Sequence, residues 1–266
     1  MNNEEIILDN DILELDGIEE ARVDWLQYTN RDVAVPRVSH ILRQCRDSDG
    51  LIQWAANIGR RKYDYYRDKA LNIGTLVHEI IDEYLIARYN NHTEYTVDYA
   101  NIEEDYRSSV YNCFENFKLW ESNLNKNGFF VEEVVGLEIP VTCPWYGGTI
   151  DGIVKINGAY YIIDFKTSKK ISPEYLLQTS AYMWIINNRY VDGLPIINGI
   201  GIIRVDKQKY GVINDLFISN FTAEQSAMIT NYQKCFMSYV DSFYRTINTD
   251  YITENYNYNR DNVFKE

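Results

Sequence analysis

Residues 147–169 read GGTIDGIVKINGAYYIIDFKTSK. Within them Asn157-Gly158 stands between two apolar runs, the strongest short-range signal for a two-residue hairpin with a type I′ turn, whose central residues both need positive φ. Such a turn pairs Ile156 with Ala159 and, moving outward, 153 with 162, 151 with 164 and 149 with 166. Asp151 is thereby expected directly opposite Asp164. Because side chains alternate along a strand, one face is predicted to carry Thr149, Asp151 and Ile153 against Ile162, Asp164 and Lys166. The other, with Ile150, Gly152 and Val154 against Ala159, Tyr161, Ile163 and Phe165, is predicted to be core.

Two carboxylates facing each other across a strand pair have Cβ atoms about 5 Å apart and repel unless a cation sits between them. A divalent metal meets that need. Hard oxygen ligands beside an ammonium suit Mg²⁺ or Mn²⁺, which bind through one or two carboxylates together with phosphate oxygens of a substrate. Lys166, two residues along the same face, is placed to orient an attacking water or to neutralise charge building on a phosphate. The plain alternative is a solvated face on which Lys166 pairs with the acids, but bulky apolar residues flank both carboxylates.

Around this hairpin the hydrophobic period changes once. Upstream it is helical: Ser39 is predicted to cap a short helix through Cys45, followed by Leu51–Ile58, Thr75–Tyr89 and a long helix over 96–125. After Gly128 it becomes strand-like, with strands over 131–141, 148–156 and 159–167, a helix over 173–190 capped by Ser172 with Pro173 in its first turn, strands over 197–205 and 212–219, and a last helix over 222–247. The predicted fold class is therefore α/β, a mixed sheet flanked by helices with an N-terminal helical part. The expected division is an acidic segment 1–30, one domain 31–247 (helical 31–127, sheet with helices 128–247) and a polar tail 248–266.

The chain has 266 residues, enough for a sizeable core, and its 45% hydrophobic and 24% charged residues exclude overall disorder. No apolar run approaches a membrane span and the acidic start lacks signal-peptide blocks, so no membrane partner and a cytoplasmic location are expected. Cys45, Cys113, Cys143 and Cys235 form no CxxC pair and read as reduced thiols. The net charge of −13 argues against binding through a broad positive surface. That acidity is concentrated, since residues 1–24 hold nine acids and one base, and without them 25 bases face 30 acids. Several of those acids are assigned to a metal site, where bound cations change the local sign.

The motifs resemble the RecB-like branch of the PD-(D/E)xK nucleases. Gly74-Thr75-Leu76-Val77-His78 is similar to its Gly-xxx-His helix, Gly148-Thr149-Ile150-Asp151 to its GxxD element, Asp164-Phe165-Lys166 to its DxK strand end, and Gln178-Thr179-Ser180-Ala181-Tyr182 to its QxxxY helix. Ile150 stands where the family name has proline, as is usual in this branch. Upstream, residues 35–42 (VPRVSHIL) and 51–59 (LIQWAANIG) resemble the mitochondrial genome maintenance exonuclease and related phage exonucleases. The resemblance implies a PD-(D/E)xK restriction-endonuclease-like core and a Mg²⁺-dependent (or Mn²⁺-dependent) deoxyribonuclease. It further implies an exonuclease that prefers single strands or free DNA ends, acts in replication, repair or recombination, and leaves a 5′-phosphate and a 3′-hydroxyl. A short chain of this kind would suit a phage or mobile element. The cysteine signature of iron–sulfur-bearing relatives is absent, so no iron–sulfur cluster is expected. A structure-specific or nicking endonuclease, and a non-catalytic binding or assembly subunit, are the alternatives.

On that resemblance Asp151 and Asp164 are expected metal ligands, Lys166 assists the water, and His78 is a metal ligand or phosphate contact with Asp82, four residues on, as its orienting partner. Gln178 is expected to position the water or a phosphate, Tyr182 to share its helix face, and Glu138 on the preceding strand to be a further acid near the metal. His40 and His92 are expected to be structural. Lys169 and Lys170, with Arg60 and Arg61, are the expected DNA contacts, joined in a basic track by Lys62, Arg67, Lys69, Arg204 and Lys207. Trp54, Tyr63, Tyr65 and Tyr66 interleave with it, a mixture suited to stacking exposed bases. The acidic segment is expected either to compete with DNA for this track or to dock on a protein partner. Deleting residues 1–24 should then raise affinity for a labelled single strand at low salt by about threefold or more, read by fluorescence anisotropy. An unchanged affinity removes the competition.

Overall fold

The computed structural model describes residues 26–30, 33–44 and 49–246. The expectations for residues 1–24, Cys45 and the tail 248–266 lie outside them. A two-stranded ribbon opens the described chain, β1 (Leu26–Asn30) with β2 (Val33–Pro36), followed by helices α1 (Val38–Gln44), α2 (Asp49–Ile58), α3 (Arg60–Leu85) and α4 (Glu104–Lys126). Then come β3 (Val131–Cys143), β4 (Tyr146–Ile156), β5 (Ala159–Lys166), helix α5 (Pro173–Asn187), β6 (Gly199–Val205), β7 (Ile213–Ser219) and helix α6 (Ala223–Thr246). The five strands β3 to β7 form one mixed sheet in chain order, antiparallel except where β5 and β6 run parallel across the α5 crossover. Helices flank this sheet, so the fold is mixed α/β.

The sheet is buried on both sides. On one, α1, α5 and α6 cover Ile153, Ile162, Ile200 and Ile202. On the other, α3 and α4 cover Val154, Ile163, Phe165, Ile203 and Val205. Burial on two faces explains why β6 reads GIGIIRV with every residue buried and no alternation. Helix α5 has no amphipathic stripe for the same reason, because residues around its whole circumference, from Leu176 to Ile186, are covered by the sheet and its neighbours. Ser172 accepts from the amide of Glu174 and Pro173 occupies the first turn, as its sequence indicates.

Several boundaries differ from expectation. Helix α3 starts at Arg60, not Thr75, so the basic and aromatic run 60–69 is itself helical. Gly59, at φ 80°, breaks it from α2, and Asp64 pairs with Arg60 and Arg67 along its exposed first turns. Those turns carry no apolar stripe, and so no period to read. The long helix begins at Glu104, because Asp98 caps a short 3₁₀ turn, Tyr99–Asn101, through the amide of Ala100. Ser39 lies inside α1, whose first bonds run to the carbonyl of Arg37, so it is not the cap. Helix α5 stops at Asn187, followed by Arg189 at φ 61°. The β1–β2 ribbon was not anticipated.

Two contacts fix the layers that carry the motifs. Glu121 of α4, buried, accepts from Tyr84 at 2.5 Å and from Tyr89 and pairs with Arg88 at 3.0 Å, which ties the C-terminal end of α3 to α4. Gly148 of β4 lies flat beneath Tyr182 of α5, and a Cβ there would penetrate the phenol ring and hydroxyl. Gly148→Ala should therefore destabilise the protein by about 1–3 kcal/mol in urea denaturation, the usual cost of overpacking, and Gly148→Ala/Tyr182→Leu should recover much of the loss. An unaffected single variant would refute this packing role.

Candidate metal and nucleic-acid site

Asn157 and Gly158 both have positive φ, 47° and 80°, and the hairpin pairs Ile156 with Ala159 through to Gly152 with Ile163 in the predicted register. The ladder ends there. The expected pairs of 151 with 164 and 149 with 166 are not made, because the amide of Phe165 donates to Oδ2 of Asp151 at 2.8 Å. A side chain has taken the place of a strand neighbour.

The same point marks a break in the pleat of two strands at once. On β3, Leu137 packs on the α3/α4 side while Ile139 packs on the α1/α5/α6 side, although residues two apart on a regular strand share a face. On β4, Val154 belongs to the first side and Ile150 to the second. This corrects the expected core face, which grouped Ile150 with Val154. The register across the break is kept, Leu137 facing Gly152 and Ile139 facing Ile150. Between those pairs stand Glu138, at φ 47°, and Asp151. A non-glycine residue in left-handed backbone costs about 1–2 kcal/mol, so the reversal is a strained feature located at two acids.

Helix α3 completes the group. His78 Nε2 lies 3.0 Å from the carbonyl oxygen of Phe165, and its ring meets that of Phe165 edge-on at 5.9 Å. A carbonyl can only accept, so Nε2 carries the proton and donates. In the neutral ring Nδ1 then keeps its lone pair, 3.7 Å from Oδ2 of Asp151. One ligand atom each from His78, Glu138 and Asp151 lie within 4.8 Å of one another. Nitrogen and carboxylate donors in that number fit Mn²⁺ or Mg²⁺, and the Phe165 carbonyl supplies the hydrogen bond that fixes a ligating imidazole.

The expected ligand Asp164 stands outside this group. It is buried, with both carboxylate oxygens 2.6 Å from Nζ of Lys166. Burial pushes its carboxyl up, against the pull of the Lys166 charge. Burial acts to lower Lys166, but Asp164 and Asp151 outweigh it and hold the ammonium protonated above the usual lysine range. Tyr175 of α5 lies under the same ammonium at 5.1 Å. Lys166 is thus held as an ammonium against Asp164.

A cleft of about 990 Å³ opens beside the group. His78, Glu79, Asp82, Glu138, Lys166, Thr167 and Ser168 line one part of it, and Leu51, Trp54, Tyr63, Tyr66 and Arg67 of α2 and α3 another. Trp54 meets Tyr63 and Tyr66 at ring distances of 5.7 and 6.2 Å and stays 42% exposed, Tyr66 50%. The other expected residues fall elsewhere. Gln178 donates to the Tyr182 hydroxyl at 3.2 Å, Tyr182 covers Gly148 of β4, and neither lines the cleft. Lys169 and Lys170 are exposed on the loop after β5, and Arg60 and Arg61 are exposed at the start of α3; none of the four lines the cleft. Arg204 is buried, donating to Ser168, Asn214 and Asp206, and so cannot belong to a surface track. Asp82 does not orient His78, whose partner is the Phe165 carbonyl. Lys207, expected in the basic track, does line the cleft, and Tyr175 and Glu79 join it with no short motif to flag them.

Burial, followed by the charges of Glu138, Asp151 and Glu79, pushes the Asp82 carboxyl from 3.8 to about 7. Its Oδ1 is buried with no hydrogen-bond partner among the described residues. The folded form therefore binds a proton more tightly than the unfolded chain, so stability falls as pH rises between about 4 and 7 and stays reduced above. In EDTA, Asp82→Asn should be more stable than the parent at about pH 8, by about 1–2 kcal/mol once solvent screening is allowed for, with the difference vanishing near pH 4. Equal urea midpoints at the higher pH would contradict the assignment.

No helix among the described residues is long and apolar enough to cross a membrane. No family model and no curated protein matches the chain. Among solved structures, one described as "Crystal structure of SSO0001" is similar over 56% of this chain and 67% of that one, at 11% identity and a TM-score of 0.25. A likeness of that size carries no argument about fold or activity.

Proposed function

We propose that the chain is a metal-dependent deoxyribonuclease with a PD-(D/E)xK core, cleaving phosphodiester bonds in strands whose bases are unpaired. The observation that carries this reading is the convergence of His78 from α3, Glu138 from β3 and Asp151 from β4 within 4.8 Å, with His78, Glu138 and Lys166 lining one open cleft. Nδ1 of His78 and Oδ2 of Asp151 face each other across 3.7 Å, a separation that one ion can bridge, and the donor set suits Mn²⁺ or Mg²⁺. Once bound, such an ion would lower the pKa of a water and polarise a phosphoryl oxygen.

The chain's own groups divide the remaining work. The Phe165 carbonyl holds His78 in one tautomer, so that Nδ1 faces the acids. The Phe165 amide holds Asp151 against rotation. Lys166, locked by Asp164 and protonated, presents fixed positive charge to the cleft, where charge developing on a phosphate is stabilised without reorganisation. Trp54, Tyr63 and Tyr66 offer faces to bases, and a duplex hides the base faces that such a wall would stack. This supports a preference for single strands over duplex.

Purified protein should degrade single-stranded DNA with Mn²⁺ or Mg²⁺ and not in EDTA, and Asp151→Asn and Lys166→Ala should each lose about a hundredfold or more of that activity. Mn²⁺ should raise the thermal midpoint of the parent and not that of Asp151→Asn. Cleavage of linear but not circular single strands identifies an exonuclease. Full activity in either variant overturns the reading.

A further inference from the structure

Lys207 occupies the turn between β6 and β7, and the chain there is held from three sides. Asn116 of α4 donates to the carbonyls of Asp206 and Lys209, both at 2.9 Å, and accepts from the amide of Gly211 at 2.7 Å. Asn112, one turn earlier, donates to the carbonyl of Lys207 itself at 3.3 Å. Asp206 accepts from the amides of Gln208 and Lys209 and from the buried Arg204. A surface turn placed only by chance would not need two asparagines of one helix and a buried guanidinium to fix it.

The side chain so placed lines the cleft. Lys69, Lys118, Lys155 and Lys166 each pair with a carboxylate, whereas Lys207 forms no ion pair among the described residues. It is also partly buried. Burial, and after it the neighbouring Lys169 charge, hold its ammonium below the usual lysine range. Asp206 acts the other way but is already engaged by Arg204, so the half-buried cation keeps little counter-charge of its own, a cost that falls when an anion enters. Glu79, Asp82 and Glu138 also line the cleft, but none of them forms an ion pair with Lys207, which leaves its ammonium open to an anion from outside.

We propose that Lys207 is a phosphate post, its ammonium taking a non-bridging oxygen of a backbone phosphodiester in a nucleic-acid strand lying along the cleft. This rests on the reading of the cleft as a nucleic-acid channel. The post sets where the backbone runs, while Trp54, Tyr63 and Tyr66, from different elements, take bases. It is a positioning residue, distant in chain and role from the metal group, and its contact is indifferent to base sequence.

The test uses the full chain in EDTA, with a fluorescent oligothymidylate of about 20 nucleotides, and anisotropy read from about 50 to about 200 mM KCl. Lys207→Met should weaken binding about threefold to tenfold at the low end and reduce the slope of log affinity against log salt by about 0.7. Lys207→Arg should keep the slope, and Lys234→Met, on an exposed part of α6 away from the cleft, should leave both quantities nearly unchanged. Circular dichroism melts of all three should match the parent. If Lys207→Met binds like the parent or like Lys234→Met, the post is refuted while the nuclease reading stands. If the parent binds no strand at any salt, the nucleic-acid reading is refuted, and the post with it.

Discussion

The amide of Phe165 donates to the carboxylate of Asp151, and much of the molecule's arrangement depends on that one bond. It ends the β4–β5 ladder at Gly152 and Ile163, leaving the last residues of β5 to pair only with β6. It fixes Asp151 toward α3. The carbonyl of the same Phe165 accepts from His78, and its ring packs into the core under α3 and α4. One residue thus offers its amide to an acid, its carbonyl to an imidazole and its ring to the core, so the geometry of the site and the packing of the domain cannot be adjusted separately.

Around this bond the two acids divide. Asp151 joins His78 and Glu138, and Asp164 stays with Lys166. The division follows from burial. A carboxylate as enclosed as Asp164 needs a partner, and the ammonium against both oxygens offsets part of the cost of its burial. Asp151 is only half-buried, and Glu138 is exposed and lines the cleft.

Much of this was legible from the chain. The Asn157-Gly158 turn gave the hairpin register correctly over five pairs, and the change of hydrophobic period at Gly128 located the passage from helices to sheet. What was lost has physical causes. Alternation cannot reveal a pleat reversal that depends on positive φ at a glutamate, so Glu138 could be placed only as an acid on the preceding strand. Two register shifts in β3 hide its partner from any counting argument. Helix α3 was half unseen because its first turns are exposed, and Arg204 was misread because charge in a sequence says nothing about enclosure. Gln178 was expected at the chemistry with Tyr182 on the same helix face, yet the two meet each other and Tyr182 covers Gly148.

The left-handed backbone at Glu138 sets stability and placement against each other. Glycine would adopt the same φ without steric strain, so the glutamate is held there at a cost in backbone strain. Drift toward greater thermal resistance would tend to erase the carboxylate and keep the bend. The bend alone would then survive as an unexplained kink in two strands, a fossil of the acid it once aimed.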